Sequence, residues 1–215
     1  MDRYTLYGDR GSGSHPVEMV LAEIGAPVEL VEVPLEGDHQ LSEDHRRRNP
    51  MGRVPVLLLP DGTVVTESLA ILLTLAARHP EARLLPPPDD PGHATVLRWM
   101  ALLAGEFYPH VTRADYPERF SADPAHAPAI RARAMEMGRE VWSVLEANAP
   151  FGPDGQGPYL LGDRFTLADP YIAALSRWLK GDEWMPANAP KVERLTRAVA
   201  ARPKLAAIWR KHRGG

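Results

Sequence analysis

A run of prolines splits this chain into two stretches with different folding rules. Leu84-Leu85-Pro86-Pro87-Pro88-Asp89-Asp90-Pro91-Gly92 offers no amide donor at its three consecutive prolines, so neither a helix nor a sheet ladder runs through it. Before this linker, strand and helix signals alternate. Tyr4 to Tyr7 is β-prone, and a Gly- and Ser-rich loop from Gly8 to Ser14 follows. From Pro16, Val17, Val20, Leu21 and Ile24 recur at helical spacing until Gly25 stops the helix. Val28 to Val33 reads as a second strand, and residues 40–48 as a weak polar helix. Val54 to Leu59 reads as a third strand, joined through an Asp61-Gly62 turn to Thr63-Val64-Val65. Glu67 to Arg78 reads as a helix with Leu69, Leu72, Leu73 and Ala76 on one face. The βαβ part requires a parallel pair with a right-handed crossover, and the ββα part begins with an antiparallel hairpin. Together they predict an α/β domain over 1–80 with a mixed four-stranded sheet, followed by a linker over 81–92.

After the linker the pattern is helical only, over about 93–108, 126–148, 167–180, 189–201 and 203–212, which predicts an all-α domain over 93–215. Within it, Thr166 and Asp169 form a capping-box pattern, Thr166 at the N-cap and Asp169 at N3.

Composition narrows the chemistry. With no cysteine, a thiol nucleophile, a disulfide or a thiolate metal ligand must come from outside the protein. Net charge is −3, and the densest basic run, Arg46-Arg47-Arg48, sits beside Glu43 and Asp44. That run reads as a solvated helix face and not as a nucleic-acid surface. No segment approaches the roughly 18 apolar residues of a membrane span, and a strand-like segment follows Met1 at once, so a cytoplasmic protein is expected. His39 and His45 lack metal-ligand spacing and are expected to be solvent-exposed, and no metal is expected.

Three segments carry candidate chemistry. Ser12, Gly13 and Ser14 precede the first helix, where a hydroxyl at the positive end can donate to an anion; Ser14 alternatively caps the helix, for which Ser12 lies too far upstream. Pro55 near the start of a strand removes a ladder donor, and a cis Val54–Pro55 bond would leave the Val54 backbone open to an extended peptide. Glu67-Ser68, at a helix start, suits an amino-acid head, the helix end and hydroxyl meeting its carboxylate and Glu67 its ammonium. Plain capping by Thr66 and Ser68 fits equally well.

The Ser-rich turn into a helix ending Leu21-Ala22-Glu23-Ile24-Gly25, the run Asn49-Pro50-Met51-Gly52-Arg53-Val54-Pro55, Asp61-Gly62 leading to Thr66-Glu67-Ser68 and Ala70-Ile71, and the box Thr166 to Asp169 occur in one order. In this the chain resembles the cytosolic glutathione transferase superfamily, in its bacterial beta- and theta-like forms, over essentially its whole length. The resemblance implies a thioredoxin-like N-terminal domain, a helical-bundle C-terminal domain and a homodimer. It implies glutathione as co-substrate with no other cofactor, and a small hydrophobic electrophile as second substrate. Pro55 is expected to be cis, Val54 to pair with the cysteinyl backbone, and Glu67 and Ser68 to hold the γ-glutamyl end, with Gly13 and Arg53 beside them. Counting back from Gly25 without a gap, the beta-class cysteine falls on Gly13, the theta-class serine on Ser12, and the pi-class tyrosine on Tyr7. Beta-class proteins carry a tyrosine there without using it, so Tyr7 also fits a packing role. The order of expectation for thiol activation is Ser12, Ser14, Tyr7. No Arg follows the turn as in the zeta class, which argues against maleylacetoacetate isomerisation. Phe107, Tyr108, His110 and Trp178 are expected to line the electrophile site, between the domains. The function implied is glutathione transfer; the alternatives are a glutathione-binding module without turnover and glutathione-dependent disulfide reduction.

Overall fold

A computed structural model describes residues 3–152 and 156–213. It divides into two compact units, Met1–Leu85 with Val199–Gly215, and Pro86–Ala198.

The first unit is built on a four-stranded sheet in the order β2-β1-β3-β4: β1 (Tyr4–Gly8), β2 (Val28–Glu32), β3 (Val56–Leu58) and β4 (Val64–Thr66). β1 runs parallel to β2 and antiparallel to β3, and β3 antiparallel to β4. α1 (Ser14–Ile24) makes the crossover between β1 and β2, and α2 (Glu43–Arg48) and α3 (Ser68–Arg78) follow. Side chains alternate across a strand, and Tyr4 and Leu6 are buried with Val17, Val20, Leu21, Ile71, Leu72 and Leu75 of α1 and α3. Gly25 ends α1 in the left-handed conformation, φ +70°, as its position in the sequence demands.

The third strand is shorter than the expected Val54–Leu59. Pro55 has no N–H to give, so the ladder begins at Val56; the Val54–Pro55 bond is cis. The hairpin turns through Leu59 to Thr63: Leu59 N–H donates to the Thr63 carbonyl at 2.8 Å, Gly62 N–H to the Leu59 carbonyl at 2.9 Å, and the Asp61 carboxylate accepts from Thr63 N–H at 2.9 Å.

The second unit contains α4 (Pro91–Leu102), α5 (Tyr108–Asp115), α6 (Ala127–Asn148), α7 (Ala168–Leu175), α8 (Gly181–Asn188) and most of α9 (Pro190–Ala200). A π-helical turn, Leu103–Phe107, joins α4 directly to α5, so the helix expected to stop near 108 continues to Asp115. The last helix, α10 (Ala206–Arg213), groups with the first unit, not with the helical domain in which the sequence reading placed it. Two of its side chains tie it to α1: Glu18 accepts from Lys211 Nζ at 2.9 Å and from His212 Nε2 at 2.8 Å.

The capping pattern at Thr166–Asp169 forms in altered roles. Asp169, fully buried, accepts from the Thr166 N–H at 2.6 Å, the Thr166 hydroxyl at 3.0 Å and the Leu160 N–H at 2.8 Å. The Thr166 hydroxyl therefore donates to Asp169, and the carboxylate is the hub that joins the segment before α7 to its first turn.

Candidate functional site

The sheet register carries three segments to one end of the first unit. Tyr7 of β1, Val56 of β3 and Thr66 of β4 lie in one row across the sheet. Immediately beyond this row stand the turn Asp9–Gly13, the Val54–Pro55 bond and Glu67–Ser68. Parallel and antiparallel neighbours thus bring the expected thiol-activating, backbone-docking and amino-acid-binding segments to a common edge.

The turn is organised by Asp9, which sequence reasoning did not single out. Its carbonyl accepts from the Ser12 N–H at 3.2 Å, the Ser12 hydroxyl at 2.8 Å and the Ser14 hydroxyl at 3.0 Å. Its carboxylate accepts from Arg10 N–H at 2.7 Å and from Leu35 N–H at 2.8 Å. An Asp opening a Gly/Ser-rich loop is the signal that was available, because Asp side chains bind nearby backbone donors in turns. The two serine oxygens lie 2.9 Å apart.

Their capping roles are the reverse of those expected. Ser14 is the first residue of α1 and its hydroxyl points back to Asp9, so it does not cap the helix. Ser12 accepts the Ser14 N–H at 3.2 Å and so satisfies one of the free donors at the helix start. Both residues are buried. Gly8 makes this close seating possible, since a methyl group there would overlap the Ser14 side chain. Tyr7 packs under the Arg48 guanidinium, 4.8 Å from the ring centroid.

At the second segment, Arg53 is exposed, Val54 half-buried and Pro55 buried. His45 is not solvent-exposed as expected: it is 3% exposed, and its Nε2 donates to the Arg53 carbonyl at 2.9 Å. Asn49 Nδ2 donates to the same carbonyl at 2.9 Å. These two side chains hold the peptide that leads into the cis bond. His39 is exposed.

Glu67, at the N-cap of α3, has φ 63° and ψ 113°, a conformation rarely adopted by a residue with a Cβ and costing about 1–3 kcal/mol. Its side chain makes no capping bond and is exposed, whereas Ser68 is buried. Strain of this kind concentrates at functional positions.

In the second unit, Tyr108 and Trp178 meet edge to face, ring centroids 5.0 Å apart. Both are half-buried. Arg177 anchors the segment, donating to Glu193 at 2.7 Å and Asp182 at 3.1 Å, and the left-handed residues Leu179 and Lys180 turn the chain after Trp178. The structure does not bring the other two expected residues to the surface. Phe107 is fully buried against Trp142, ring centroids 4.9 Å apart, because the π-turn directs it into the core. His110 is 4% exposed; burial, and then the Arg113 charge, holds its pKa below the ordinary value.

Among the described residues, no group of three or more His, Asp or Glu side chains has metal-binding geometry, and no helix is long and apolar enough to cross a membrane.

A thioredoxin-like mixed sheet with a cis-proline edge, followed by a helical unit, defines the fold of the glutathione S-transferases, and comparison with known proteins agrees. Residues 12–78 match the glutathione S-transferase N-terminal domain and residues 131–212 the C-terminal domain. The chain is 30% identical to glutathione S-transferase GstA of Escherichia coli O157:H7 over 80% of its own length and 81% of the relative's. It is 28% identical to the uncharacterized GST-like protein YncG of Escherichia coli K12, covering 96% of this chain and 97% of that protein. A solved glutathione transferase homologue from Sulfitobacter, with bound glutathione, is 31% identical with a TM-score of 0.87, covering 97% of both chains. The chain belongs to the glutathione S-transferase superfamily.

Proposed function

We propose that this protein is a glutathione transferase that ionises the thiol of glutathione and adds it to a small hydrophobic electrophile. The observation that carries the proposal is the Ser12 hydroxyl at the start of α1, at the same sheet end as Val54 and Glu67–Ser68. In this reading Val54 pairs with the cysteinyl backbone, Glu67 and Ser68 hold the γ-glutamyl group, and Arg53 and Gly13 flank the peptide. Ser12 turns its hydrogen from the Asp9 carbonyl to the sulfur. Ser14, which also donates to that carbonyl, keeps it satisfied. The thiol proton leaves to solvent, and the thiolate attacks the electrophilic carbon; the C–S bond forms as the π bond at that carbon breaks, and the resulting anion takes a proton from solvent. A hydroxyl donor plus the helix end lowers the thiol pKa by about two units, about 2.7 kcal/mol of differential stabilisation. The Tyr108–Trp178 pair is the proposed contact for the electrophile.

A second reading is a glutathione-binding module without turnover. It is favoured by the Ser12 hydroxyl already donating to Asp9 at 2.8 Å, a bond it must surrender to activate sulfur. Disulfide reduction is a third, and requires two glutathione molecules because the chain has no cysteine. Ultraviolet difference spectra of bound glutathione separate the first two. Thiolate absorbance near neutral pH, with turnover on a panel of small electrophiles, supports the transferase. Binding without ionisation contradicts it.

A further inference from the structure

We infer that His212, on the last helix, is a positioning residue for the thiol-activating turn, acting through its Nδ1 acceptance of the Gly11 N–H at 3.1 Å. The inference rests on the assignment of thiol activation to the turn that contains Ser12.

The ring's protonation pattern follows from its partners. A nitrogen that accepts from a backbone N–H carries no hydrogen, so the ring hydrogen is on Nε2, which donates to Glu18 at 2.8 Å. The ring is buried and stacked on His15, centroids 4.2 Å apart and planes within 5°, so it has one orientation. Glu18 is itself fixed by Lys211, at 2.9 and 3.0 Å. Burial pushes its carboxyl up, yet hydrogen bonds from His212 and Lys211 carry it below the ordinary value.

The result is a closed circuit. α1 carries Glu18, Glu18 orients His212, and His212 holds Gly11, one residue from Ser12 and three from the start of the same helix. Gly11 is left-handed, φ +70°, a conformation that suits glycine and sets its N–H toward the ring. Asp9 holds the turn from one side and His212 from the other. A hydroxyl that must aim at sulfur needs such a shell, because small displacements of a donor cost much of its effect.

Two substitutions separate positioning from mere packing. The Oδ1 of His212→Asn stands near the Nδ1 position and keeps an acceptor for Gly11 while losing the donor to Glu18. His212→Gln does the converse. A purely structural role predicts that Gln is the better replacement, because it keeps the buried bond to Glu18. Positioning predicts the opposite in the pKa of bound glutathione. His212→Gln should leave about 3–10-fold less thiolate near neutral pH, a rise of about 0.5–1 unit, and His212→Asn should stay near the unmodified protein. Equal effects of the two, or no effect of either, overturn the inference. Ser12→Ala, measured alongside, tests the underlying assignment separately. If it is silent while His212→Gln still raises the pKa, the turn acts through backbone donors and only the role of Ser12 falls. Should either His212 variant fail to fold, nitrogen NMR of the unmodified protein decides: an unprotonated Nδ1 and a slowly exchanging Gly11 amide support the inference, and a protonated Nδ1 or a fast-exchanging amide overturns it.

Discussion

At Glu67 the backbone adopts φ 63° and ψ 113°, at the entry to α3 and beside the buried Ser68. A residue kept in such a conformation trades stability for placement. Glu67→Gly removes the Cβ that makes it costly, at the expense of extra freedom in the unfolded chain. It should raise stability by about 1 kcal/mol in denaturant titration while weakening glutathione by about 1–3 kcal/mol, the cost of leaving a charged partner short of a bond. Unchanged affinity would place the γ-glutamyl group elsewhere. The position of Glu67 and Ser68 at a helix start was legible in the sequence because they follow a hairpin. The roles within the serine turn were not. Whether Ser12 or Ser14 meets the helix donors depends on the path of five residues around the Asp9 carbonyl, and spacing along the chain does not encode that path. His45 escaped for a related reason: its partner, the Arg53 carbonyl, is a backbone group that no side-chain pattern reveals.

α1 and α10 are joined by a buried cluster whose stability depends on pH. Burial, with the nearby charges of Arg213 and Lys211, lowers the His15 pKa to about 2. In the unfolded chain an ordinary histidine takes up a proton near pH 6.5. The folded state therefore refuses a proton that the unfolded state accepts, so His15 favours folding fully above pH 6.5 and progressively less as pH falls below it. The expected slope is up to about 1.4 kcal/mol per pH unit. Unfolding free energies measured from pH 7 to 5 should fall less steeply for His15→Phe than for the unmodified protein, and parallel slopes would refute this. The capping segment before α7 makes a second claim at this scale. Asp169, with no exposure, accepts from the Leu160 and Thr166 N–H groups and from the Thr166 hydroxyl, so Asp169→Ala strands these donors and should cost about 3–5 kcal/mol. A loss under 1 kcal/mol in chemical denaturation would show that water replaces the carboxylate. Helical and strand periods made most elements readable. The ones that were missed, α5 and α8, follow a π-turn and a left-handed Leu179–Lys180 pair, where periodicity is interrupted.

For the whole molecule, the alternation of strand and helix signals followed by helix signals alone announced a mixed sheet and a helical unit, and the order of short motifs announced the family. The placement of α10 was not announced, because it depends on Glu18 meeting Lys211 and His212 about two hundred residues away in sequence. We propose a homodimer, the commonest closed assembly and the one the family resemblance implies. Sedimentation equilibrium at micromolar concentration should give about twice the 23.8 kDa chain mass, and a single-chain mass would contradict it. The central claim is narrower: the turn at the start of α1 ionises glutathione through Ser12. The most direct test is the pKa of bound glutathione, read from thiolate absorbance across pH in the unmodified protein and in Ser12→Ala, Ser14→Ala and Tyr7→Phe. Ser12→Ala should raise it by about 1–2 units and cut turnover near pH 7 by about 10–100-fold with glutathione affinity nearly unchanged; Ser14→Ala should shift it less, and Tyr7→Phe hardly at all. A bound thiol with the pKa of free glutathione, or one that Ser12→Ala leaves in place, would contradict the account.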